Sequence, residues 1–183
     1  MIEKLNAYLK EVDGTLQLKQ QSFYDEIRNY YIQEEIRAYG NLTTKEAIGR
    51  LKSVINFNER SRYKSCEDLG VWIRIGDICF IDYGPNYINE AGFQHFGLIL
   101  SIENAKVLVI PMTSNPKTHQ EALQGRKHLF ALGQIIGMHR NSTLFLNDAK
   151  FVNSARIIDV KANIPKQSKL FKKIKKKFYV LLD

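Results

Sequence analysis

The sequence predicts an α+β protein: a small antiparallel β-sheet or barrel, preceded by a helical segment and closed by one further helix. Three observations predict it. Residues 1–60 repeat apolar positions at helical spacing. From Val71 onward, short β-rich runs alternate with turn clusters. The last stretch, "KQSKLFKKIKKKFYVLLD", returns to a helical period. At 183 residues and 44% hydrophobic content, the chain is long enough for one domain with its own core plus an appendage.

Each element has its own reason. Ile2, Leu5, Leu9 and Val12 recur at helical spacing until Asp13-Gly14. "FYDEIRNYYIQEEIRAYG" places Phe23, Ile27, Tyr30, Tyr31 and Ile36 near one face, with Gly40 as a stop. Thr43 and Glu46 have the spacing of a capping box. They open a third helix with an apolar stripe of Ala47, Ile48, Leu51, Val54 and Ile55. The polar run "NERSRYKSCEDLG" reads as a linker, giving a division into residues 1–60, 61–70 and 71–183. Trp72 then reads as a packing residue across that linker, with stacking on a base as the alternative. The strand candidates are "DICFIDY", "HFGLILSI", "KVLVIPMT", "KHLFAL", "STLFL" and "ARIIDV", a spacing that suits a small antiparallel sheet or barrel. In the closing helix, Leu170, Phe171, Ile174, Phe178, Leu181 and Leu182 share one face opposite the lysines.

Charge is unevenly distributed. The net charge is +8, yet residues 1–70 hold 11 basic and 11 acidic side chains. The excess lies entirely in residues 71–183, and eight of its lysines fall between 161 and 177. A basic excess of this kind favours nucleic acid or an acidic protein, against the alternative of a merely solvated helix face. No apolar run approaches the ~20 residues of a membrane span, so no membrane partner is expected. "MIEKLNAYLKEVDG" lacks the apolar centre of a secretory signal, and Cys66 and Cys79 have no metal or redox spacing. A cytoplasmic setting is expected, with a disulfide between the two cysteines left open. Four scattered histidines without neighbouring carboxylates or thiols predict no metal site and no cofactor.

The central hairpin brings chemistry together. Centring its turn on Asn104 pairs Phe96 with Met112, Leu98 with Ile110 and Leu100 with Leu108 on a core face. The other face then pairs Ile99 with Val109, Gly97 with Pro111 and His95 with Thr113. A register shifted by one residue sets Ser114 opposite His95. The following segment, "SNPKTHQEALQGRKH", reads as a loop that adds Lys117, His119, Arg126, Lys127 and His128. Imidazole, hydroxyl and cations are what phosphodiester cleavage by a neighbouring 2′-hydroxyl needs. One group takes a proton, another donates one, and positive charge or hydroxyls hold the phosphoryl oxygens.

The order of motifs resembles the MazF/PemK family of bacterial toxins. "GDICFIDYGP" (Gly76–Pro85) is similar to that family's "GDIvlvdfgP" opening, and Glu90 in "INEAG" falls at its "GsE" element. "HFGLIL" stands at "RPvlvI", "VLVIPMTS" at "viviPlTs", and "GMHRNSTLFLNDAKFVNSARI" at the segment ending in Arg-Ile. The resemblance spans residues 71–182. It implies an SH3-like antiparallel barrel with a C-terminal helix. It also implies a metal-independent endoribonuclease that leaves a 2′,3′-cyclic phosphate and a 5′-hydroxyl. Such a toxin is a homodimer held by a cognate antitoxin in its RNA groove. The family's catalytic threonine falls on Thr113, whereas its catalytic arginine falls on His95, which exchanges a fixed cation for a titrating group.

Three readings of the site follow. His95 and Thr113 are catalytic, with Ser114, Lys117, His119, Arg126 and Lys127 holding RNA. Alternatively, the barrel is inactive and binds RNA or protein. In the third, His95 is structural and Arg126 or His119 acts in its place. Glu90 is a candidate to orient His95, and Asp82 a candidate groove residue.

Overall fold

The structure is a computed structural model that describes residues 2–12 and 16–182. Asp13-Gly14, read above as the end of the first helix, lies outside the described residues. The chain divides into two compact units, Met1–Ala47 and Ile48–Asp183.

In the first unit, α1 (Ile2–Glu11) and α2 (Tyr24–Gly40) carry no fully buried residue among those whose burial is described. Tyr8 stacks on Phe23 with ring centroids 4.5 Å apart. Glu26 gathers the Lys4 ammonium and the Tyr8 hydroxyl, which holds its carboxyl below the usual range. The capping box forms as the spacing predicts: Thr43 N donates to Glu46 Oε2 at 2.9 Å and Glu46 N to Thr43 Oγ1 at 3.3 Å. It opens α3 (Thr44–Arg60), which crosses into the second unit.

The second unit is an antiparallel sheet of β1 (Asp77–Asp82), β2 (Gln94–Glu103), β3 (Lys106–Thr113), β4 (Leu129–Gly133), β5 (Ser142–Phe145), β6 (Lys150–Asn153) and β7 (Ile157–Asn163). Its order is β4-β5-β3-β2-β1-β7, with β6 added beside β3. The end strands β4 and β7 do not pair, so this is an open barrel rather than a closed one. Two elements depart from the sequence reading. The segment read as a loop contains α4 (Pro116–Leu123), capped by Asn115, whose Oδ1 accepts from Lys117 N at 2.9 Å. Strand β6 was also not foreseen; its four residues alternate half-buried and exposed.

Both faces of the sheet are buried. On one, Leu98, Leu100, Ile110 and Met112 meet Phe171, Ile174 and Phe178 of α5 (Lys169–Leu182). Leu182 departs from the predicted stripe and is exposed. On the other, Ile81, Ile99, Val107 and Val109 pack with Cys66 and Cys79 beneath Val71 and Ile73. The segment 61–70 thus supplies Cys66 to a core. Burial pushes both free thiols above their ordinary pKa, which makes them poor nucleophiles.

Helix α3 docks by a different face from the one its periodicity predicts. Ile48, Leu51 and Ile55 are 51%, 51% and 48% exposed, whereas Ser53 is buried. Small residues face the barrel: Gly49 lies against the Phe93 ring, where an added Cβ would come within 3.3 Å of it. Ser53 Oγ donates to the buried Asp82 carboxylate, and Arg60 Nη1 donates to Ile157 O at 2.7 Å. Among the described residues Asp82 has no ion pair; Gly84 N, at 2.9 Å, shares the same carboxylate oxygen as Ser53. Removing the serine hydroxyl deprives a buried charge of half of its donors. Ser53→Ala is therefore expected to destabilise the fold by about 2 kcal/mol, checked by chemical denaturation of the full chain.

Candidate functional site

The hairpin that carries the site has a two-residue turn. Asn104 and Ala105 both adopt positive φ (45° and 61°), and Glu103 pairs with Lys106 across them. From there Ile102 pairs with Val107 and Ser101 with Leu108. A bulge at Leu100 then shifts the register by one residue. Beyond it Ile99 faces Val109, Leu98 faces Ile110 and Gly97 faces Pro111, as predicted. The predicted pairing of Leu100 with Leu108 is replaced by that bulge.

The β2–β3 ladder ends at Gly97 and Pro111. From this point β2 stays with β1, through Phe80–Phe96 and Ile81–His95. Strand β3 turns to β5 instead, through Met112–Leu144 and Thr113–Thr143. The strands part where sequence reasoning expected His95 to face Thr113, and a groove opens between them. Phe96 and Met112 line its floor, with Thr113 and Ser114 on one side. Gly137, Met138, His139, Arg140, Ser142 and Lys161 complete its lining.

The wall formed by His139 and Arg140 is brought in by a close backbone approach. Gly137 has φ +90°, and a Cβ there would lie 2.8 Å from Lys161 O. Only glycine lets this segment run against β7. Ser142 Oγ donates to Arg140 O at 3.3 Å and ties the segment to β5. Both His139 and Arg140 are exposed to solvent. Lys161 is ion-paired with Asp159, whose carboxyl that contact holds below its usual range.

The other candidates distribute as follows. His95 is exposed and does not line the groove; its Nδ1–H donates to Gly92 O. Glu90 accepts from Tyr87 N within its own loop, at 3.3 Å, rather than from His95. That loop is held instead by Asp148, which takes Ala91 N at 2.6 Å and pairs with Lys150 at 2.8 Å. Asp82 is buried in the α3 seat and outside the groove. His119, half-buried on α4, meets Thr143 Oγ1 through Nδ1 at 2.9 Å, one register pair from Thr113. Lys117, Arg126 and Lys127 are exposed and do not line the groove. Trp72 is 73% exposed, against its predicted packing role.

His139, Arg140 and Lys161 escaped the sequence reading as groove residues. The available signal was Gly137, which opens the motif segment "GMHRNSTLFL". Among the described residues no group of three or more His, Cys, Asp or Glu side chains is arranged to hold a metal ion. No helix among them is long and apolar enough to cross a membrane.

No family model matches the chain, and no curated protein matches it in sequence. Among solved structures it is similar to MazF from Deinococcus radiodurans, with a TM-score of 0.48 and 18% identity over 61% of this chain and 97% of that one. It is also similar to an endoribonuclease solved in complex with its cognate antitoxin from Mycobacterial species. There the TM-score is 0.45, with 13% identity over 61% of this chain and 95% of that one.

Proposed function

We propose that the barrel is an endoribonuclease of the MazF/PemK kind, the toxin of a toxin–antitoxin pair, acting on single-stranded RNA in the cytoplasm. One observation carries the reading. At the parted end of the β2–β3 hairpin, the hydroxyls of Thr113 and Ser114 line the same groove as an imidazole and two cations. In this reading the RNA backbone lies along the groove. Thr113 and Ser114 hold phosphoryl oxygens, and Arg140 with Lys161 offsets the charge that builds on phosphorus. The 2′-hydroxyl loses its proton and attacks the adjacent phosphorus; the P–O5′ bond breaks, and the leaving oxygen takes up a proton. The products are a 2′,3′-cyclic phosphate and a 5′-hydroxyl, with no metal required.

We assign proton transfer to His139 in place of His95, because His139 lines the groove with Thr113 and His95 does not. Arg140 takes the part of the fixed cation that the resemblance expects at position 95. An antitoxin segment that carries carboxylates would occupy the same groove and exclude RNA. The dimeric state belongs to this reading as well.

A second reading rests on His95 itself. The arginine position holds a histidine turned away from the groove, which suits a barrel that binds RNA without cutting it. One experiment separates the two. Full-length protein incubated with single-stranded RNA in EDTA is expected to yield fragments with cyclic phosphate and 5′-hydroxyl ends. Saturable, salt-sensitive retention without new ends would favour the binding module.

A further inference from the structure

The strongest charge on the molecule is not in the groove. Residues 160–182 hold eight lysines and no Asp or Glu. Among the described residues, no carboxylate pairs with Lys166, Lys169, Lys172, Lys173 or Lys176. The buried face of α5 is fixed by Phe171, Ile174 and Phe178, so Lys169, Lys172, Lys173 and Lys176 project away from the core, and Lys166, just before the helix, is exposed as well.

They also have neighbours of a particular kind. Two adjoining hollows share Ile75 and Lys166. One also holds Arg74 and Asn163, and the other Lys175 and Tyr179. The Tyr179 ring is 53% exposed with the Lys175 ammonium 5.5 Å from its centroid. Residues 71–75 alternate half-buried and exposed, so Trp72 points outward with Arg74 while Val71 and Ile73 point into the core. This face therefore combines lysines that no carboxylate pairs, and Arg74 paired with Asp77, with the exposed Tyr179 and, two residues from Arg74, the exposed Trp72. Aromatic faces interleaved with cations are what a flexible polynucleotide uses: bases stack, and phosphates meet lysines. An acidic protein surface needs the charge but gives no account of the open rings.

The face lies within reach of the groove. Lys161 lines the groove and Lys166 the hollows. They are five positions apart along the chain, at most ~18 Å even fully extended.

We infer that α5 and the 72–75 segment form a second RNA-contacting surface, which takes the backbone and bases of single-stranded RNA beyond the stretch held in the groove. The inference rests on RNA being the substrate class, but not on the groove being catalytic. It implies that long RNA binds more tightly than short RNA, and with a steeper dependence on salt.

The test compares full-length protein with the Lys166→Gln/Lys172→Gln/Lys176→Gln variant. All three positions are exposed and outside the groove. The probes are 2′-O-methyl oligonucleotides, which lack the nucleophile, in a length of about 5 and of about 20 nucleotides. For three lost phosphate contacts, the slope of log affinity against log salt is expected to fall by about 2 for the long probe. Over a fourfold rise in salt, that shrinks the affinity difference between the two proteins by roughly 20-fold. Binding of the short probe, and the cleavage rate of an equally short unmodified RNA, are expected to stay at the wild-type level. An unchanged slope for the long probe overturns the inference and leaves the lysines to an acidic partner or to solvent. Equal losses for both probes overturn it too, because the lysines would then act through the groove or the fold. If wild-type protein cuts nothing and the long-probe slope still falls, the nuclease reading fails while this inference stands.

Discussion

Arg140→Gln is expected to lower the rate of RNA cleavage by about 100-fold or more, equivalent to about 2.7 kcal/mol of transition-state stabilisation. The glutamine keeps much of the side chain's length and some of its hydrogen bonding but removes the fixed charge. As phosphorus becomes five-coordinate, negative charge accumulates on its non-bridging oxygens. A guanidinium beside them acts most strongly at that moment, so the loss should appear in kcat more than in KM. Lys161 is a weaker candidate for this task because Asp159 already occupies its ammonium. His139→Gln tests the partner role and is expected to cost about 100-fold as well, within the range of a lost general acid or base. His95→Gln is expected to stay within about threefold, since its ring is tied to Gly92 and faces away from the groove. Single-turnover cleavage of a short RNA reads all three. If Arg140→Gln costs less than about tenfold, the groove assignment is wrong. If His95→Gln is the variant that loses 100-fold, proton transfer belongs to the strand histidine.

Much of the fold was legible because period and polarity agree locally. Every strand candidate read from a β-rich run between turn clusters corresponds to a strand, and the capping box at Thr43 and Glu46 forms. The hairpin register was legible beyond the bulge, where large apolar residues must share one face. The bulge was not, since one extra residue at Leu100 leaves no mark in an unbroken apolar run. Helix α4 was overlooked although Asn115-Pro116 is an N-cap followed by a proline at the first helical position. The outward stripe of α3 teaches a different point. Periodicity gives the faces of a helix, yet docking here uses Gly49 and Ser53, whose small size permits close approach.

The candidate site was legible only by half. Thr113 and Ser114 follow from the hairpin, which is a local feature. His139 and Arg140 reach the groove because Gly137 lets an irregular segment run against Lys161, a contact between residues 24 apart in sequence. No periodicity encodes such a meeting. The failure at His95 has the same origin. Pairing arithmetic assumes that a ladder continues, whereas each strand here takes a new partner beyond Gly97 and Pro111.

Gly76→Ala is expected to have the largest effect on stability, about 3–5 kcal/mol, from positive-φ strain and overpacking together. Gly76 opens the "GDICFIDYGP" motif and has φ +95°. A Cβ there would lie 2.2 Å from Ile164 O, a backbone atom that no side-chain rotation can move aside. Nor is the backbone free to yield. Gly76 N donates to Ile99 O at 2.9 Å, and Gly76 O accepts from Ile164 N at 2.8 Å. This one residue thus ties the entry of β1 to β2 and to the segment that leads into α5. The adjoining Asp77 reinforces the join, accepting from Arg74 N at 2.8 Å and from Asn163 Nδ2 at 2.7 Å. The first two residues of the motif therefore act through the fold and lie outside the groove. Gly76→Ala should accordingly lower the denaturation midpoint and the yield of folded protein, while the fraction that folds keeps its cleavage rate per active site. A variant of wild-type stability would refute the steric argument. A stable variant that has lost cleavage would place Gly76 at the RNA itself.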